Sequence, residues 1–143
     1  MRAQFDRPTM GGSMVTAPAL RVPTILVAED EAAFRRLLIA TLKPGRFRIL
    51  EAASAVETLR MGREALPDVI LLDIGLGNDD GLRVSRKLKD DPTTRFIKIV
   101  VVSGHDDPLT RERARLSGAD RFLAKPFSPL ALWRALDALV PTG

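Results

Sequence analysis

An unbroken apolar run, Val69-Ile70-Leu71-Leu72, ends on Asp73 and passes at once into Ile74-Gly75-Leu76-Gly77-Asn78-Asp79-Asp80-Gly81. Two of its four apolar residues are β-branched and no polar residue interrupts them. This predicts a strand buried on both faces, of the kind found in parallel sheets covered by helices on each side. In such sheets ligands bind beyond the C-terminal ends of the strands. Asp73 stands at one of those ends, which leaves two readings: a turn residue or a chemical centre.

The rest of the chain decides between them. Thr24 to Ala28 predicts another buried strand, ending in Glu29-Asp30-Glu31. Phe34, Leu37, Leu38 and Leu42 recur at helical spacing, and Pro44-Gly45 stops that helix. Phe47 to Leu50 predicts a second strand. Ser54 and Glu57 form a capping box that opens a helix with Ala55, Leu59, Gly62 and Leu66 inward. Beyond the central strand, Gly81, Val84, Ser85 and Leu88 mark a third helix. Ile97 to Val102 predicts a strand ending at Ser103-Gly104.

The helix expected from about Pro108 to Ser117 is poor in apolar residues: Leu109, Ala114 and Leu116 stand among Arg111, Arg113 and Arg115. Asp120 to Ala124 predicts a fifth strand, leading to Lys125-Pro126-Phe127. Ser128 as N-cap and Pro129 at the first helical position open a last helix lined by Leu132, Leu136, Leu139 and Val140. Five strands alternating with five helices define an α/β class with a parallel sheet. A chain of 143 residues, 45% of them apolar, suits one domain with a substantial core. Residues 1–22 lack apolar periodicity and contain Gly11-Gly12, Pro8 and Pro18, so a disordered leader is expected there, with the domain over 23–141.

Several function classes fall away. No apolar stretch approaches the ~18 residues of a membrane span, so no membrane partner is expected. The absence of cysteine excludes disulfides and thiolate metal sites and fits a reducing cytosol, hence a cytoplasmic location. The net charge of +4 is mild, and after the first 22 residues 19 basic side chains are interspersed with 17 acidic ones. That balance does not predict direct nucleic-acid binding.

If the five strands are parallel, Glu29, Asp30, Asp73, Ser103 and Lys125 all lie at one edge of the sheet. Two carboxylates about 5 Å apart repel by roughly 3 kcal/mol at an effective dielectric near 20, so such a cluster requires a cation or a protonated member. Oxygen-only ligands select a hard ion, Mg²⁺ above all. Mg²⁺ beside a hydroxyl and an ammonium suits a phosphoryl group, with an aspartate as nucleophile forming an acyl phosphate.

Over residues 23 to 141 the chain resembles the receiver domain of two-component response regulators. Four motifs carry the resemblance: Val27-Ala28-Glu29-Asp30, the loop from Asp73 to Gly81, Val101-Val102-Ser103-Gly104, and Phe122-Leu123-Ala124-Lys125-Pro126-Phe127. It implies a flavodoxin-like fold with strand order 2-1-3-4-5. It also implies Asp73 as phosphoacceptor, Glu29 and Asp30 as metal-binding acids, and the Gly75 backbone carbonyl as a further Mg²⁺ ligand. Ser103 becomes the phosphoryl-binding hydroxyl, Lys125 the phosphoryl-binding lysine, followed by a cis bond to Pro126, and Phe122 an aromatic switch.

Two departures from the family pattern stand out. Gly77 replaces a usual proline, which predicts a more mobile or differently shaped loop. Gly75 and His105 occupy the variable positions that tune dephosphorylation. Gly75-Leu76-Gly77 lacks the spacing of a nucleotide-binding loop. His105 is expected as an exposed loop residue and Trp133 as a packing or interface residue. The expectation is a stand-alone receiver, a monomer or weak dimer, which takes a phosphoryl group from a histidine kinase or phosphotransfer protein. It would signal to a downstream protein through its fourth helix, fifth strand and fifth helix. It would not be a dedicated enzyme. The alternatives are a small Mg²⁺-dependent phosphatase, which usually carries a second acid where Gly75 stands, or a degenerate receiver acting as a docking scaffold.

Overall fold

The computed structural model describes residues 21–140. The leader expected over residues 1–22 therefore lies outside the described residues except for Arg21 and Val22. Ten principal elements follow in chain order: β1 (Thr24–Ala28), α1 (Ala32–Leu42), β2 (Arg48–Ala52), α2 (Ala55–Ala65), β3 (Val69–Asp73), α3 (Gly81–Asp90), β4 (Lys98–Ser103), α4 (Pro108–Leu116), β5 (Arg121–Ala124) and α5 (Pro129–Asp137). The strands form one parallel sheet in the order β2-β1-β3-β4-β5, as the flavodoxin-like fold requires.

Alternation along the strands explains why β3 has no polar face. Ile70 and Leu72 join Leu26, Ala28, Ile99 and Val101 in one core layer, beneath α2, α3 and α4. Val69 and Leu71 point the other way, joining Ile25, Val27, Val100 and Val102 against Leu38 and Leu42 of α1 and Leu132 and Leu136 of α5. Each fully buried side chain of this size contributes about 1.5–3 kcal/mol. At the start of β3, Asp68 accepts hydrogen bonds from Arg21 (2.7 Å) and from the Thr24 amide (2.7 Å), tying β1 to β3. Although partial burial works the other way, these bonds hold the Asp68 carboxyl below its usual range.

Local chemistry sets the element ends. Ser54 caps α2 by accepting from the Glu57 amide at 3.1 Å, while Glu57 reaches back to the Ala53 amide at 2.7 Å. Asp80, Asp107 and Ser128 cap α3, α4 and α5 in the same manner.

Several boundaries and faces differ from the sequence expectation. The second strand is Arg48–Ala52. Phe47 stays outside it and stacks on Trp133 at 5.6 Å, which makes Trp133 a packing residue. As an edge strand, β2 tolerates the exposed Arg48 and Glu51 that obscured its extent. The fourth and fifth strands begin one residue later than expected, at Lys98 and Arg121. Leu37 is 59% exposed because Leu38 and Leu42 already define the inward stripe of α1. Leu66 is also exposed, since it ends α2 in the left-handed conformation, with φ 46°. In α4 only Ala114 is buried.

The stretch after Asp73 is not an open loop. Gly75–Leu76 pairs antiparallel with Asp79–Asp80, and Leu76 is buried. Gly77 turns the ladder with φ +62°, which proline, fixed near −65°, cannot adopt. Gly81 then packs against the chain it has just left: its amide donates to the Ile74 carbonyl at 2.6 Å, and a Cβ would strike the Asp73 carbonyl. Gly81→Ala is therefore expected to destabilise by about 1–3 kcal/mol, although alanine is the better helix former. Gly75→Ala, with no neighbour within 4 Å of the added carbon, should leave the urea midpoint nearly unchanged. Equal midpoints for the two variants would contradict this packing.

Candidate functional site

Four strand ends meet at one edge of the sheet. β1 delivers Glu29 and Asp30, β3 delivers Asp73, β4 ends on Ser103, and Lys125 follows β5. Glu29 is 2% exposed. Its amide extends the ladder by donating to the Ala52 carbonyl, and its Oε2 accepts from the Glu31 amide at 3.0 Å. That bond satisfies the amide of Glu31, the N-cap residue of α1, whose own side chain makes no cap. One carboxylate oxygen from each of Glu29, Asp30 and Asp73 lies within 4.8 Å of the others. This donor set is all oxygen and acidic, so it fits a small hard divalent cation.

Lys125 is the counter-charge. Its Nζ lies 3.3 Å from Asp73 Oδ1 and 3.4 Å from Glu29 Oε1. The Phe34 ring sits beneath it, 4.3 Å from the nitrogen, and Phe127 packs edge-on against that ring. Phe34 is the site residue that sequence reasoning missed, having read it only as part of an apolar stripe. Its place one turn after Asp30 on α1 was the available signal. The Lys125 amide donates to the Ser103 carbonyl at 2.7 Å, and the Lys125–Pro126 peptide is cis, as the resemblance implies.

Ser103 is buried, and its Oγ accepts from the His105 amide at 3.0 Å. That bond uses an oxygen lone pair and leaves the hydroxyl proton available to an acceptor. The His105 side chain is exposed. The Gly75 carbonyl accepts from the Gly77 amide at 3.1 Å, and its second lone pair remains for another ligand. Phe122 lies on β5, outside the charged cluster and half-buried against the core. Arg111 covers its ring, with the guanidinium carbon 4.6 Å from the centroid, and pairs with Asp106.

Burial, reinforced by the nearby Asp73 charge, raises the Glu29 carboxyl to about 7, against the opposing Glu31 amide and Lys125. Glu29, with almost no water around it, is thus the carboxyl of the cluster that most readily holds a proton.

A five-stranded parallel sheet of this order, with acids at the ends of its first and third strands, is a flavodoxin-like architecture with an acidic pocket at the C-terminal edge of the sheet. Residues 25–137 match the response regulator receiver domain, and the chain belongs to that family. Response regulator PleD of Caulobacter vibrioides is 40% identical over 115 residues, which are 80% of this chain and 25% of PleD. The phosphate regulon transcriptional regulatory protein PhoB of Escherichia coli is 34% identical over 116 residues, 81% of this chain and 51% of PhoB. The chain thus spans between a quarter and a half of these relatives' lengths.

Among solved structures, chemotaxis protein CheY4 of Vibrio cholerae shares the fold with a TM-score of 0.79 at 22% identity, covering 84% of this chain and all of CheY4. The receiver domain of the sensor histidine kinase PA1611 of Pseudomonas aeruginosa, solved with magnesium in its active-site cleft, gives a TM-score of 0.76 at 25% identity. The match covers 83% of this chain and 98% of that domain.

The Glu29 environment has a pH consequence. Folding raises this carboxyl from 4.5 to about 7, so the folded state binds its proton more tightly than the unfolded state. Stability should therefore fall as pH rises through that window, by about 2–3 kcal/mol. Urea titrations near pH 5 and pH 8 should reveal the loss, Glu29→Gln should flatten it, and millimolar Mg²⁺ should restore stability at the higher pH. A wild-type profile that coincides with that of Glu29→Gln would contradict the assignment.

Proposed function

We propose that the chain, over residues 23–141, is a phosphoacceptor switch in which Asp73 takes a phosphoryl group from a histidine kinase or phosphotransfer protein. The observation that carries this reading is the Asp73 carboxylate held between the Lys125 ammonium at 3.3 Å and the acids Glu29 and Asp30. Glu29, Asp30, Asp73 and the Gly75 carbonyl would hold Mg²⁺, which when bound neutralises phosphoryl oxygens and orients the group for attack. An Asp73 oxygen attacks phosphorus, the bond from phosphorus to the donor imidazole breaks, and the imidazole leaves with its electron pair. The product is an acyl phosphate on Asp73. Lys125 shifts its ammonium to a phosphoryl oxygen, and the Ser103 hydroxyl donates to another. Water later cleaves the acyl phosphate, so the state is transient.

In this reading output follows from two side chains. Ser103 moves toward the phosphoryl group, and Phe122 turns into the space behind it, leaving the Arg111 guanidinium that now covers its ring. The adjoining α4 is held by few buried side chains, which suits a segment that must rearrange. Arg111 and Arg115, with Arg121, would present a basic face of α4, β5 and α5 to a downstream protein, while Arg113 turns toward α3.

Asp73→Asn should abolish incorporation of label from acetyl phosphate in the presence of Mg²⁺. Asp30→Asn should weaken Mg²⁺ binding by calorimetry at least about tenfold while leaving the circular dichroism spectrum unchanged. Labelling of Asp73→Asn at the wild-type rate would exclude Asp73 as the acceptor. Beryllofluoride with Mg²⁺ should shift backbone resonances through residues 108–123. Shifts confined to the loops around Asp73 would rule out the Phe122 switch.

A further inference from the structure

Away from the acidic cluster, α3 and α4 are separated by an open cleft of about 400 Å³. Its walls carry Arg83, Arg86 and Lys87 from α3 and Arg113 from α4, over a floor that includes Leu82 and Leu116. The cations are held there by little of their own. Arg86 reaches across the cleft to donate to the Leu116 carbonyl, and its acidic neighbour Asp90 is 3.8 Å away. Arg113 has Asp80 at 3.7 Å, a pair largely in water and weak for that reason. Among the described residues neither Arg83 nor Lys87 has an ion-pair partner. Leu116, on the same lining, is 53% exposed, and Asp80 is the one acid there.

We infer that the α3–α4 cleft is a docking groove for an acidic peptide segment of a partner protein, one bearing an apolar side chain between its carboxylates. Charge complementarity selects the class. Guanidinium forks on both walls match carboxylates in pairs, and the exposed Leu116 receives an apolar anchor that a bare anion lacks. No aromatic side chain lines the cleft, so a nucleotide would find its charge matched and its base unstacked. The groove is distinct from the face of α4, β5 and α5, because Arg111 and Phe122 lie on the other side of α4, against β5.

Docking also reaches the acidic site without touching it. A partner carboxylate at Arg113 competes with Asp80, and Asp80 both caps α3 and pairs with Gly75 in the ladder that follows Asp73. Occupation of the groove and the shape of that ladder therefore share one residue, and any effect between them runs in both directions. The inference does not depend on Asp73 accepting a phosphoryl group.

The test is a titration of the isotope-labelled protein with a short synthetic peptide of glutamates and leucines, the leucines spaced for one helical face. Its glutamine counterpart and pyrophosphate serve as the other arms. Saturable shifts are expected at residues 82–87, at residues 113–117 and at Asp80, absent with the glutamine peptide and weakened by salt. Arg83→Glu with Lys87→Glu should raise the Kd at least about tenfold. Both positions are exposed on a helix, and Arg83→Gln with Lys87→Gln carries the same test if charge reversal impairs folding. Shifts centred on Arg111, Arg115 and Arg121, wild-type affinity in the double variant, tighter binding of pyrophosphate to the same residues, or no saturation would each overturn the inference.

Discussion

The Lys125 ammonium, set between Asp73 and Glu29, is the interaction on which the acidic edge of this sheet depends. Three carboxylates within 4.8 Å of one another, one of them almost completely buried, repel strongly in a medium less polarisable than water. A single cation cannot neutralise all three, and the Glu29 carboxyl is raised first by its burial and then by the Asp73 charge beside it. The fold supplies the cation from 96 residues further along the chain and steadies it on the Phe34 ring. A parallel sheet is what makes this meeting possible, because it brings every C-terminal strand end to one side.

The cost of that arrangement is carried by the two core layers. Helices on both faces let β1, β3 and β4 bury essentially all their side chains, and the sheet beneath the site has little freedom. Mobility is left to the parts less well anchored. α4 buries only Ala114, while α3 buries five residues, from Gly81 to Leu88. A rigid frame with one loosely held helix beside the site is the division of labour a switch needs.

The ladder after Asp73 is closely constrained by its backbone. Its turn requires the positive φ of Gly77, and its return passes so close to the Asp73 backbone that only glycine fits at position 81. Two glycines for two different reasons thus set the path of the backbone that follows Asp73. The same ladder ends in Asp80, whose carboxylate caps α3 and pairs with Arg113, so one side chain links the ladder to the cleft between α3 and α4.

Much of this was legible in the sequence because burial on both faces writes itself as unbroken apolar runs, and because each element closes on a cap or breaker of recognisable chemistry. Val69 to Leu72, the Ser54–Glu57 box and the Ser128-Pro129 start needed no tertiary information. The convergence of Glu29, Asp30, Asp73, Ser103 and Lys125 followed once the strands were taken as parallel. The tertiary structure decided what periodicity cannot express. Leu37 and Leu66 are apolar by composition yet exposed, since facing depends on which stripe the neighbouring sheet accepts. The hairpin at Gly75 to Asp80 is too short for any pattern; Phe34 beneath Lys125 joins elements distant in the chain, and Arg111 over Phe122 depends on how α4 packs on β5. Residue types and their local spacing determine which elements form; long-range packing determines which side chains meet, because those distances are set by the sheet and its helices together.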